Sequence, residues 1–193
     1  MRSHLPFFET KRFLIREVME KDLYDMYEYS KIREVGYNAG WEPHISLSYT
    51  KEVIKMFRKK YLYSELGIFA IVIKQTGKMI GTCELHNYTK GYKAELGYTV
   101  NPAFQNQGVA TEVSKALLEW GFTDLGLKRI ECNCLSDNLK SKRVCEKLLF
   151  NYEGLKKNGY QLFDGTIHDL ECFGMTDTDF RRIKENNLWK EID

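Results

Sequence analysis

Apolar and polar positions along this chain follow two periods, and the switches between them predict most of its elements. Residues 12–18, RFLIREV, read as a strand, and the polar start MEKD leads into a helix reaching about Ser30. Residues 36–48 carry Gly, Asn, Trp and Pro, including Trp41-Glu42-Pro43-His44, and are expected to form a loop. Ser48 is placed to cap the next helix, whose apolar face is marked by Val53, Ile54, Phe57 and Tyr61. The unbroken run GIFAIVIK predicts a buried strand, Gln75-Thr76-Gly77-Lys78 a hairpin turn, and MIGTCELHNY the return strand.

After a loop over residues 89–93 come the strand AELGYTV, residues 101–111, and the amphipathic run TEVSKALLEWGF. In that helix Val113, Ala116, Leu117 and Trp120 share one face, with Glu112, Ser114, Lys115 and Glu119 away from it. KRIECNCL predicts a strand and residues 139–148 a helix. Two further strand-like runs, 151–163 and 167–175, flank a turn at Asp164-Gly165. From Thr176 the chain is charged and reads as helical. Strands that first meander and then alternate with helices predict an α/β (α+β) fold with one mixed central sheet of about seven strands and flanking helices. At 193 residues a single domain is expected, with its core over about residues 8–175 and a charged tail over 176–193.

Composition narrows the function by exclusion. With 29 basic and 27 acidic residues the charges nearly cancel, which argues against a general nucleic-acid or membrane-surface role. The basic run Arg58-Lys59-Lys60 reads as a solvated helix face. Five cysteines do not form a secreted disulfide framework, and Cys132 and Cys134 alternate on a strand, so they point the same way and cannot bridge each other. The four histidines are scattered, and no metal site is expected. No apolar run approaches membrane-spanning length, so a cytoplasmic protein is expected.

The segment with most chemistry is Asn101-Pro102-Ala103-Phe104-Gln105-Asn106-Gln107-Gly108-Val109-Ala110-Thr111. A loop feeding a helix N-terminus aims unpaired backbone N–H groups at one point, where the helix dipole favours an anion. Gly108 removes a Cβ that would block that approach, and Ala110 keeps its position small. Because the segment holds no Lys or Arg, its backbone is expected to do most of the holding. The phosphate-loop and dinucleotide signatures are both absent. A second element stands at Ser136-Asp137-Asn138, where a strand ends and a helix opens with Asp137 or Asn138 as the N-cap. Asn138, Ser141 and Cys145 then fall on one helix face.

Together these motifs resemble the GCN5-related N-acetyltransferases, and within them the group acetylating ribosomal-protein N-termini. QNQGVA is similar to the family's Q/R-x-x-G-x-G/A pyrophosphate loop at Gln105, Gly108 and Ala110. DNLKSKRVCEKLLF resembles that group's E/D-N-x-x-S-x-x-V-x-E-K-x-G-F, and AELGYTVNP its fourth strand. The resemblance implies acetyl-CoA as co-substrate, its pyrophosphate on Gln105, Asn106, Gln107, Gly108, Val109, Ala110 and Thr111. It places the pantetheine beside Tyr98, Thr99 and Val100, with Asn138 contacting the cofactor arm. The reaction implied is direct acetyl transfer to a primary amine, most simply the α-amine of a protein or peptide. A small amine (polyamine, amino acid or aminoglycoside) and a non-catalytic acyl-CoA-binding domain are the alternatives, and the chain is expected to be a monomer or homodimer.

Such transfer needs a base for the amine and benefits from an acid for the thiolate. Glu95 and Glu84 are the candidate bases, with His86 on the same strand face as Glu84. Each glutamate reads equally as a cross-strand partner for a lysine. Ser141 is the candidate acid, or alternatively a capping hydroxyl, because Cys145 stands where many members carry a tyrosine. Leu149 replaces the family's glycine, and a left-handed C-cap there would be strained, so the helix is expected to end differently. Tyr37, Trp41 and Glu42, with His44, resemble the family's acceptor wall, and the same Trp-Pro pair reads as helix packing.

Overall fold

Ile68–Ile73 is apolar at every position, and it forms a strand buried at all but its last residue. The structure, a computed structural model, describes residues 5–60 and 66–191, which group into two compact units. One holds the described residues up to His86 with Gly97–Ala116; the other holds Asn87–Leu96 and the described residues from Leu117 on.

The first unit holds β1 (Phe8–Glu9), β2 (Phe13–Glu17), β3 (Ile68–Ile73), β4 (Met79–Thr89) as far as His86 and β5 (Lys93–Val100) from Gly97 on, neighbours in that order. The pairs from β1 to β4 are antiparallel, with Leu14 opposite Val72 and Phe69 opposite Cys83. Three helices pack on this sheet: α1 (Leu23–Ser30), α2 (Arg33–Ala39) and α3 (Leu47–Lys60). Met26, Tyr29, Val35 and Ile54 from the helices share one core with Ile68, Ala70 and Val72 from β3. Fully burying a side chain such as Ile54 contributes about 1.5–3 kcal/mol. Arg16 and Asp22, both buried, close a bidentate pair at 2.7 and 2.8 Å, and Asp22 also accepts from the Met19 amide. That pair shapes the residues expected to begin the first helix into a 3-10 turn, Glu20–Asp22.

Two local expectations are corrected here. Residues 36–39, expected in the loop, are the end of a helix over Arg33–Ala39: Gly36 is buried, and a Cβ there would lie 2.5 Å from the Trp41 carbonyl oxygen. The glycine therefore permits a close turn rather than breaking the helix. The third helix is capped by Ser46, whose hydroxyl accepts from the Tyr49 amide at 3.1 Å, while Ser48 lies inside it. Ile54 is buried on that helix, and Tyr61 lies outside the described residues.

In the second unit the order is β5, β6 (Arg129–Leu135), β8 (Ile167–Thr176), β7 (Asn151–Gln161). β5 and β6 run parallel, Lys93 opposite Arg129, and α4 (Val109–Thr123) is the crossover that a parallel pair requires. The other pairs are antiparallel. The helices α5 (Leu139–Lys147) and α6 (Asp177–Glu185) belong to this unit. Phe122 stacks on Phe180 at 4.9 Å, and Trp189 donates its indole N–H to the Leu148 carbonyl at 3.1 Å, so the charged tail is docked. The strand beyond the expected seven is β1, whose two residues are too few to carry a period.

Two further corrections concern helices. Ser114 and Leu118 are fully buried, so α4 is covered on more than its Val113–Leu117–Trp120 stripe, and Ser114 does not face away. The α5 terminus keeps the left-handed C-cap: Leu149 has φ +64°, with Phe150 N–H donating to Cys145 and Leu149 N–H to Glu146, both at 3.0 Å. No helix among the described residues is long and apolar enough to cross a membrane.

Candidate active site

The pyrophosphate-loop candidate is built from the end of β5. Asn101, buried, accepts from Ala103 N–H at 3.0 Å and donates to Glu28 at 2.9 Å, and Pro102 starts the 3-10 turn it caps. Glu28 is also held by Lys78 at 2.6 Å, which with Asn101 keeps its carboxyl below the usual carboxylate range. Gln105 turns its side-chain amide back onto the Val100 carbonyl at 3.0 Å. Asn106 and Gly108 then adopt left-handed φ values of +59° and +74°, and α4 begins at Val109. Glycine at 108 takes that φ without the strain of a Cβ, and it supplies no side-chain oxygen to cap the amides.

The first helical amide to meet a carbonyl is that of Glu112, which donates to Gly108 at 3.0 Å. The backbone N–H groups of Asn106, Gln107, Gly108, Val109, Ala110 and Thr111 meet no acceptor among the described residues. Open amides on left-handed turns at a helix N-terminus make an anion-binding concavity. This donor set fits a pyrophosphate.

A residue missed by the sequence reading stands beside the loop. Arg12, at the start of β2, donates from Nη1 to the Gln107 carbonyl at 2.8 Å and from Nε to Glu112 at 2.6 Å. Its backbone N–H takes the other Glu112 oxygen at 2.9 Å. Burial pushes the Glu112 carboxyl up, but Thr10 and Arg12 outweigh it and hold the group below its ordinary value. The loop has no basic residue of its own, yet a guanidinium reaches it from another element. Nothing local in the sequence marks a contact between residues 100 positions apart.

Elsewhere in the first unit, Tyr98 and Thr99 are half-buried and Val100 is buried. Glu84 and His86 lie together over Gly97: a Cβ there would sit 3.4 Å from Glu84 Cγ and 3.2 Å from His86 Cδ2. Tyr37 is half-buried on α2, and Glu42 is exposed. Trp41 packs against the helix–sheet core and lies 5.3 Å from the His44 ring. His44 is buried, bonded to Thr50 Oγ1 at 2.9 Å, and desolvation lowers its pKa. That geometry packs His44 into the core and leaves Trp41 half-buried at its edge.

In the second unit Glu95 is held by two neutral amides. Its carboxylate accepts from Asn133 Nδ2 at 3.0 Å and from Asn87 Nδ2 at 3.1 Å. No Lys, Arg or His pairs with it among the described residues, so the cross-strand lysine reading does not apply to Glu95. Its neighbours differ: Glu131 is bonded to Arg129 at 2.9 Å and Lys93 at 3.4 Å, and Glu153 is gripped by Arg129.

Asn138 is the N-cap of α5, its oxygen accepting from Ser141 N–H at 3.1 Å, which leaves its amide NH2 as the group able to reach a cofactor. The Ser141 hydroxyl bonds Cys134, whose thiol burial pushes up to about 12. Cys145 is buried with its Sγ 3.4 Å from that of Cys132, and the contact and desolvation both raise its pKa, so it stays a packed thiol. No group of three metal-ligating side chains is arranged to hold an ion among the described residues.

The family model described as an acetyltransferase (GNAT) domain matches residues 12–151. The uncharacterized N-acetyltransferase YnaD of Bacillus subtilis (strain 168) is 33% identical over 148 residues, covering 77% of this chain and 84% of its own. The ribosomal protein uS5-alanine N-acetyltransferase of Escherichia coli (strain K12) is 24% identical, covering 93% of this chain and 96% of its own. Among solved structures, a GNAT-family acetyltransferase from Bacillus anthracis matches with a TM-score of 0.78 at 25% identity, over 90% of this chain and 99% of that one.

Proposed function

The chain belongs to the GNAT acetyltransferase family, and we propose that this acetyl-CoA-dependent N-acetyltransferase acts on the N-terminal α-amine of a protein or peptide. Similarity to the uS5-alanine enzyme supports that acceptor class over a small amine. The observation that carries the proposal is Glu95, a carboxylate steadied by Asn87 and Asn133 and paired with no cation among the described residues. An arriving ammonium meets an unneutralised charge there, and Glu95 takes the proton that must leave before the amine attacks.

Acetyl-CoA, when bound, supplies the activated acetyl thioester. In this reading the amides from Asn106 to Thr111 hold its pyrophosphate, and Tyr98, Thr99, Val100 and Asn138 line the arm. Glu84, beside His86, is the second candidate base, and Ser141 the candidate proton donor to the departing thiolate. Tyr37, Trp41 and Glu42 are the proposed acceptor wall.

The test is CoA release measured with N-terminal peptides, polyamines, amino acids and aminoglycosides. Peptide α-amines should be turned over, and Glu95→Gln should lower kcat by about 10²–10⁴-fold, the range of a general base. Turnover of small amines alone would overturn the acceptor assignment, and an unchanged Glu95→Gln rate would overturn the base.

A further inference from the structure

Arg12 makes three hydrogen bonds to the loop and the first turn of α4, through its backbone N–H, Nε and Nη1. Its remaining guanidinium nitrogen, Nη2, lies 3.4 Å from where a Cβ on Gly108 would stand. The guanidinium therefore occupies the side of the loop that the missing side chain leaves open. Glu112 is the acidic residue in the first turn of α4, where a carboxylate favours the helix dipole but repels any anion bound at the same end. Arg12 occupies both Glu112 oxygens and so cancels that repulsion. Through Nη1 it also fixes the Gln107 carbonyl, as the Gln107 side chain in turn holds the Ala103 carbonyl at 3.2 Å.

We propose that Arg12 is a positioning residue for the pyrophosphate: it screens Glu112 and holds the 106–111 amides in their anion-binding shape. The inference rests on the loop being the pyrophosphate site. As a plain surface ion pair the contact would contribute little, since the Arg12 side chain is 43% exposed. Its effect should appear in ligand affinity instead.

The experiment compares dissociation constants of CoA and of pantetheine, which lacks the pyrophosphate, for the wild type, Arg12→Gln, Glu112→Gln and the double variant. Arg12→Gln should weaken CoA about tenfold, the scale of a favourable charge at a helix terminus, and leave pantetheine unchanged. The double variant should regain part of that loss, because the charge Arg12 screened is gone. Glu112→Gln alone should bind CoA as tightly as the wild type or more so, which keeps the test open should Arg12→Gln fail to fold. Equal CoA affinity in wild type and Arg12→Gln, or equal loss for both ligands, would overturn the role of Arg12. A double variant no better than Arg12→Gln, or a weakened Glu112→Gln, would overturn the screening. A wild type that does not bind CoA would instead remove the loop reading beneath it.

Discussion

The N-termini of α4 and α6 pose the same physical problem and solve it in opposite ways. A helix leaves its first amides without partners inside the helix. In α6 the chain answers with its own side chains: Thr176 accepts from Asp179 N–H at 3.1 Å, and Asp179 accepts from Thr176 N–H at 3.0 Å. In α4 the residue before the helix is Gly108, which has no side-chain oxygen to offer, and six successive amides meet no acceptor among the described residues. The loop before it is nonetheless braced from every other side, by Asn101, Gln105 and Arg12. A terminus that is rigid but unsatisfied is built for a ligand; one that is rigid and satisfied is built for stability. In a GNAT acetyltransferase that contrast supports the proposal that the open end takes the pyrophosphate of acetyl-CoA.

The comparison breaks most directly at Gly108. Gly108→Glu places a carboxylate among the open amides at a φ that side chains disfavour, and CoA affinity should fall by about 100-fold or more. Calorimetric titration with CoA checks this, and unchanged affinity would cancel the contrast. The complementary change is Thr176→Ala, which opens the sealed end. It should cost about 1 kcal/mol of stability in urea titration while CoA affinity stays at the wild-type value.

Helix ends also differ at their C-termini. α2 closes with Gly40 at φ +78°, whereas α5 closes with Leu149 at φ +64°. Leu149→Gly should therefore stabilise by about 1 kcal/mol, read from the urea midpoint, because left-handed geometry costs L-residues about 1–2 kcal/mol and the larger folding entropy cost of glycine offsets only part of that gain. A loss of stability would show that the Leu149 side chain contributes more packing than its backbone costs.

The smallest effect is in pH. Glu112 and Asp179 both have lowered pKa values in the folded chain, Glu112 through Thr10 and Arg12 against burial, Asp179 chiefly through the Thr176 hydroxyl. Their stabilisation is fully present above the unfolded values of about 4. It is lost as pH falls through the lower folded values. Urea midpoints from pH 6 to 2 should fall less in Asp179→Asn than in the wild type, and an identical slope would contradict the linkage.

What could be read along the chain is what depends on nearby residues. The strand Ile68–Ile73, the hairpin turn around Gly77 and the stripe Val113–Leu117–Trp120 each follow from a period a few residues long. The loop from Gln105 to Thr111 was legible because a glycine before an amphipathic run has a local meaning. Arg12 was not, since its partners Gln107 and Glu112 lie far along the chain. Asn87 and Asn133 escaped for the same reason: an asparagine on a strand carries no sign that a glutamate on another element needs it. Gly36 misled in the other direction. As a residue type it breaks helices, but here it lets α2 pack closely under the Trp41 carbonyl. His44 looked like an acceptor-wall residue and is instead a buried partner of Thr50.

The open amides at the start of α4 are proposed to hold the CoA pyrophosphate. Nitrogen–proton correlation spectra recorded while CoA is titrated in test it residue by residue. The amide signals of Asn106, Gln107, Gly108, Val109, Ala110 and Thr111 should move most, inorganic pyrophosphate should reproduce part of the shift, and the Asp177–Asp179 amides of α6 should stay still. Saturable CoA binding that leaves residues 106–111 unmoved would contradict it.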